Sequence, residues 1–406
     1  MITLAQAEEI AAGWARLESE RRGYECTPVV SEFDLGYVVW TRRPGTDTAE
    51  PGDGGRTVID RELGLVTTWP AVPVETVAQL YRERHPDLSA QRRTVDPSVE
   101  LLRGVRRRYS PTTAAHLTVD GRVFRARGAK GDQRINHHLL IDGMFRAAAP
   151  HGELVRGCER HAELIVLSDA LHEAERARSE PLTLESAREV LRGSVFEAFY
   201  VREPGDPLAG ARAVPCDTCA TGLAGFGVTS WDDVPVWGPP WYDDEPAEPE
   251  RFPDEVARRL AGCGWKPLIG RIGREALADQ KITMARQHGH QAFPAARGLL
   301  VDFPVMVAKR RMPGVRHRVR LYQFDMRIAL HTAPVLADFA EVIGVPLFPF
   351  GTEEDGDSIL AVDERGRVFA LDQGGEWLLG ETVDEAMTDL VMGDGPAARV
   401  QDDGTW

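Results

Sequence analysis

Two short runs hold the residues able to do chemistry: His161-Ala162-Glu163, and Pro215-Cys216-Asp217-Thr218-Cys219. One imidazole and two thiolates are donors that zinc accepts, and three protein ligands leave its fourth position open, as catalytic sites require. Glu163 is not a ligand in this reading; it moves protons. Zinc brings the pKa of a bound water down to about 7. A positioned carboxylate adds general acid/base catalysis of about 10²- to 10⁴-fold. The chemistry such a set serves is metal-assisted hydrolysis, in which a water oxygen attacks a polarised carbon and the carboxylate carries the protons.

Those residues must be delivered by rigid elements. Residues 160–177 read as an amphipathic helix with Ala162, Leu164, Ile165, Leu167, Ala170, Leu171 and Ala174 inward and Asp169, Glu173 and Arg176 outward. His161 and Glu163 then share its first turn. Cys216 and Cys219, three residues apart, fall on one face of a short helix that Pro215 opens without losing a hydrogen bond. Exposed N–H groups at that end favour thiolates. Around these lie a hairpin (115–119 and 122–127, turning at Asp120-Gly121), a helix over 138–149, a helix over 182–191 capped by Thr183, and a strand over 194–201. Asn136 is a candidate contact to sugar or base, although Asn136 and His138 also read as a turn residue and a surface histidine. A competing arrangement adds Cys158 and closes a Cys₃His structural tetrahedron around the metal. That version leaves Glu163 without a role.

The run RHAELIVLSDALHEA followed by AVPCDTCATGLAGFGV resembles the zinc-dependent deaminase superfamily, most closely its YwqJ-like, toxin-type branch. The likeness covers about residues 113–228. It implies an α/β/α sandwich, Zn²⁺ on His161, Cys216 and Cys219, Glu163 as proton shuttle, and the backbone N–H of Ala162 against the ring. The implied substrate is a nucleobase, cytosine favoured, in a nucleotide or a single- or double-stranded nucleic acid.

The flanks read differently. GYVVW and GGRTVIDRELGLVTTWP, within residues 1–88, resemble Imm35-like bacterial immunity proteins. FPDEVARRLAGCGWKP, and SILAVDERGRVFALDQGGEWLLGETVDEAMTDLVMG near the end of residues 251–394, resemble SUKH-type immunity proteins of the third subgroup. Those families bind and neutralise toxins, which implies a toxin or immunity-protein partner and no catalytic residues. The expected fold class is therefore α/β and α+β multidomain: a deaminase-like sandwich between two α+β immunity-like domains. Linkers are expected at 89–112 (arginine-rich) and 229–250 (acidic, with Trp231, Trp237 and Trp241), and a disordered tail at 395–406.

Composition sets the remaining bounds. The 406 residues carry a net charge of −15, which argues against a simple nucleic-acid binder. The segment 103–230 is close to neutral, so the acidity lies in the flanks and could restrain a site meant for phosphates. Five scattered cysteines argue for reduced thiols, with Cys26 and Cys263 as core residues. His288-Gly289-His290 reads as a loop and Lys309-Arg310-Arg311 as a solvated face. No apolar run is long enough for a membrane span, and the opening residues lack a signal-peptide pattern. The expected location is cytoplasmic.

Overall fold

In a computed structural model the chain is described except at residues 23, 43–55, 70–72, 90–110, 131–133, 179, 204, 235–250, 266–270 and 402–403. It is a multidomain protein of mixed α and β structure, built mostly on antiparallel sheets. The glycine turn at 52–55, the run Arg106–Arg108, nearly all of the linker 89–112 and most of the linker 229–250 lie outside the described residues.

The first unit has α1 (Leu4–Arg22), β1 (Thr27–Phe33), β2 (Gly36–Arg42), β3 (Arg56–Asp60), β4 (Val66–Trp69) and α2 (Val74–Ser89). Its strands pair in antiparallel order β1-β2-β3-β4. Tyr37, Val39 and Ile59 face Ala7, Ala11 and Trp14 of α1, while Val38, Val58 and Trp69 face Val77 and Tyr81 of α2. Side chains alternate faces along a strand, so helices on both faces explain the unbroken apolar run in β2.

The middle unit begins with the hairpin β5 (Thr112–Val119) and β6 (Arg122–Arg127), whose turn puts Asp120 and Gly121 at positive φ. Next come β7 (Arg134–Ile135), α3 (Leu139–Ala148), α4 (Ala162–Arg176), α5 (Leu184–Val190), β8 (Val195–Val201) and α6 (Asp217–Gly225). Its sheet runs β6-β5-β8, and β7 instead joins the first unit's sheet beside β4 in parallel. Leu117, Phe124, Leu164, Leu167, Leu171, Cys219 and Leu223 belong to one core that sets α4 and α6 on this sheet. Asp169, expected to face solvent, is buried, and so are Asn136 and His138. His138 caps α3, accepting from the Leu140 N–H, and its Nε2 lies 3.2 Å from Glu175. Pairing of β7 with the first unit draws this stretch inward, which local polarity did not reveal.

The last unit contains α7 (Asp254–Gly262), α8 (Arg271–Gln287), α9 (Pro294–Asp302), β9 (Val307–Ala308), β10 (Tyr322–Gln323), α10 (Ala333–Ile343), β11 (Leu347–Glu353), β12 (Ser358–Asp363), β13 (Val368–Asp372), β14 (Gly375–Gly380), α11 (Val383–Met392) and β15 (Ala398–Arg399). The seven strands follow the order β15-β14-β13-β12-β11-β10-β9. The segment expected to be a disordered tail therefore adds an edge strand. Val400 is fully buried in the core of this unit, and the Trp406 indole N–H bonds Glu381 at 3.0 Å. Arg311 is not solvated as expected; it pairs with Glu354 and Asp217. The loop reading of 288–290 holds, with His290 buried against the Leu330 carbonyl at 3.0 Å.

Candidate metal centre

The site forms where the N-termini of α4 and α6 meet. His161 and Cys216 are the N-cap residues of these helices, both in extended backbone, and neither side chain caps its own helix. Their side chains turn to each other instead. His161 Nδ1 lies 3.4 Å from Cys216 Sγ and 3.5 Å from Cys219 Sγ. Pro215 precedes the helix rather than opening it, so its missing N–H is of no consequence to α6.

Among the described residues, the donor atoms of His161, Cys216 and Cys219 form the one group of at least three within 4.8 Å of one another. Cys158 is not in that group, although it is buried one helical turn before His161. Thr218 shares a hydrogen bond with its thiol, and burial pushes its pKa well up. An N,S,S donor set convergent on one point, buried and with soft ligands, suits zinc. The closed four-ligand cage has no support in this arrangement.

Glu163 is fully buried, and its Oε2 lies 3.9 Å from Cys219 Sγ without joining the donor set. Burial pushes its carboxyl up; the His161 charge opposes and the Cys216 thiolate reinforces, leaving it at about 7. Burial works against a charge on His161, but the Cys216 thiolate more than compensates and raises it to about 10 without metal. Cys216 is held well below a normal thiol because its hydrogen bond from Cys219 and the His161 charge together overcome burial. Cys219 is pushed up, by burial first and then by Cys216.

Residues that sequence patterns did not flag complete the site, and most come from the last unit. The N–H of Ala162, an orphan donor of the helix end, bonds Gln373 Oε1 at 3.0 Å, and Gln373 Nε2 donates to Glu163 Oε2 at 3.2 Å. Asp217, next to Cys216, is held by Arg318 and by Arg311. Arg156 bonds Glu353 at 2.6 Å. DQGG between two strand-like runs marks a turn, but no local signal says what that turn touches. Asn136 stands near but outside this group: its neighbour His137 bonds the carbonyl of Glu159, two residues before His161, at 2.5 Å.

Comparison with known proteins places the flanks. The model of the SUKH-3 immunity protein family matches residues 252–393. The model of the immunity protein 35-like domain matches residues 5–87. Both ends of this chain are immunity-type domains. No curated protein and no solved structure matches the chain.

Proposed function

We propose that the middle unit is a zinc-dependent hydrolytic deaminase of a nucleobase, carried between two immunity-type binding modules. The observation that carries this reading is a carboxylate beside a three-donor set rather than in it: Glu163 stands 3.9 Å from Cys219 and outside the ligand group. Zinc held by His161, Cys216 and Cys219 would make water a usable nucleophile near neutral pH.

The protein's own groups supply the rest. The Ala162 N–H, which donates to the Gln373 amide oxygen at 3.0 Å, would serve a ring carbonyl in the same way, which favours cytosine over adenine, since adenine has no carbonyl. Glu163 takes one proton from the attacking water and passes it to the ring nitrogen; it then takes the second from the hydroxyl left on the tetrahedral carbon and delivers it to the amino group, so that the C–N bond breaks, the carbonyl forms and ammonia leaves. Burial of both groups keeps bulk water from competing for those bonds. The substrate class is a nucleotide or a nucleic acid, and the flanking domains bind a toxin-type partner.

A second reading, a non-catalytic immunity protein with a structural zinc, is favoured by one observation: Gln373 already occupies the Ala162 and Glu163 bonds. Glu163→Ala distinguishes them. With zinc content and fold retained, it abolishes ammonia release from nucleosides and oligonucleotides under the first reading. Release by wild-type protein that survives the substitution would leave Glu163 without the assigned role.

A further inference from the structure

The turn between β13 and β14 enters the metal centre from the last unit. Its shape is fixed internally: Asp372 Oδ1 accepts from the Gly374 N–H at 2.9 Å and the Trp377 indole N–H at 3.0 Å. It is also matched by the wall it meets. A Cβ on Gly128 would lie 2.4 Å from the Gln373 carbonyl oxygen, and one on Gly157 would lie 2.3 Å from the Trp377 ring. Gly157 further sits at φ 68°, where glycine is favoured. The middle unit thus lacks side chains where the turn comes through. Gln373 itself is 2% exposed.

The chemistry of the contact matters more than its tightness. A carboxamide presents an acceptor oxygen beside an N–H donor, and so does the O=C–N–H edge of a base protonated at its ring nitrogen. Gln373 gives its oxygen to Ala162 and its N–H to Glu163. Those are the two groups assigned above to the ring carbonyl and the ring nitrogen.

We propose that Gln373 is a built-in substrate mimic, by which the SUKH-3 domain closes the active site of its own chain. The inference rests on the hydrolytic reading of that site, and its consequence is that the intact protein is latent until the turn withdraws. Paired contacts beside the turn (Arg156 with Glu353, Arg318 with Asp217) hold the domain in place. A partner that captured the SUKH-3 domain by this same face would release the site.

The test uses full-length, zinc-loaded wild-type protein and the variants Gln373→Ala and Gln373→Glu. The second keeps the shape but puts an acceptor against Glu163. Two readouts run in parallel: ammonia release from cytidine, deoxycytidine and single-stranded oligonucleotides, and extraction of zinc by 4-(2-pyridylazo)resorcinol, which needs access and no turnover. Loss of two buried hydrogen bonds should raise the open population, and with it both rates, by about tenfold or more. If zinc leaves all three proteins at one rate, or if wild type turns over as fast as the variants, Gln373 is no plug. If extraction accelerates but no base is deaminated, closure by Gln373 stands and the hydrolytic reading falls. Should Gln373→Ala fail to fold, Gln373→Asn, one methylene too short to make both bonds, gives the same comparison.

Discussion

His172 lies on α4, the helix that carries Glu163, and its ring packs edge-on against His138 with centroids 5.1 Å apart. Its Nε2 is buried without a hydrogen-bond partner. Burial, followed by the His138 charge, pulls its pKa down to about 3, against about 6.5 in an unfolded chain. Between those values the unfolded state binds the extra proton. Stability from this group is therefore full above pH 6.5 and is lost as pH falls toward 3, by up to about 1.4 kcal/mol per pH unit. His137 and His138 are shifted down as well, both chiefly by burial, so they act in the same sense. His172→Phe keeps a ring in place and removes the titration. Its urea midpoint should drop less between pH 7 and pH 5 than that of the wild type; parallel drops would show that His172 does not set the acid limb.

At the scale of elements, two helix N-termini present candidate metal donors instead of side-chain caps, and a neighbouring helix shows the ordinary arrangement. α5 is only seven residues long, too short to persist on propensity alone. It begins with a capping box, in which Thr183 Oγ1 accepts from the Ser186 N–H at 3.2 Å and Ser186 Oγ accepts from the Thr183 N–H at 3.0 Å. Thr183→Ala should cost about 1 kcal/mol in a denaturant titration and leave zinc content unchanged, since α5 contributes no ligand. By contrast, at the N-caps of α4 and α6 the helix-end N–H groups face the Cys216 sulfur, the Glu163 carboxyl and the Gln373 oxygen. The same orphan donors that destabilise a bare helix end here stabilise negative charge.

Across the whole molecule, a buried ionic cluster joins the middle and last units. Arg156 contacts Glu353 and Asp372, and Arg320 contacts Glu353, Asp357 and Asp372, with all five residues buried. Such a cluster is a weak source of net stability when intact, but removing one member leaves uncompensated charge and costs about 3–5 kcal/mol. Arg156→Met should thus lower unfolding free energy by about that amount. It should also loosen the last unit from the middle one, visible as faster amide exchange in α4 and α6; unchanged exchange there would mean that the cluster stabilises the last unit alone. On the other side, Arg84 of α2 bonds the His137 carbonyl at 3.2 Å, so the first unit braces the loop behind the site. Among the described residues, no helix is long and apolar enough to cross a membrane.

Periodicity and turn chemistry made the middle unit's local elements legible: the β5–β6 hairpin at Asp120-Gly121, α3, α4, α5 with its Thr183 cap, and β8 follow from side-chain pattern alone. The spacing of His161, Cys216 and Cys219 singled out three donors because ligand chemistry is local to residue type, and the flanking sequences pointed to immunity-type domains. Three outcomes were not local. Residues 395–406 looked like a disordered tail, yet Ala398–Arg399 pair with β14 and Val400 is buried. Asp169 was read as facing out and Asn136 as a base contact or turn residue, yet both are buried, Asn136 directly after the β7 strand that pairs with the first unit. That Ala162 and Glu163 both bond a glutamine 210 residues away from Glu163 was decided by the tertiary structure alone, because a hydrogen bond across that separation exists only once two domains have docked, and no pattern along the chain encodes the docking.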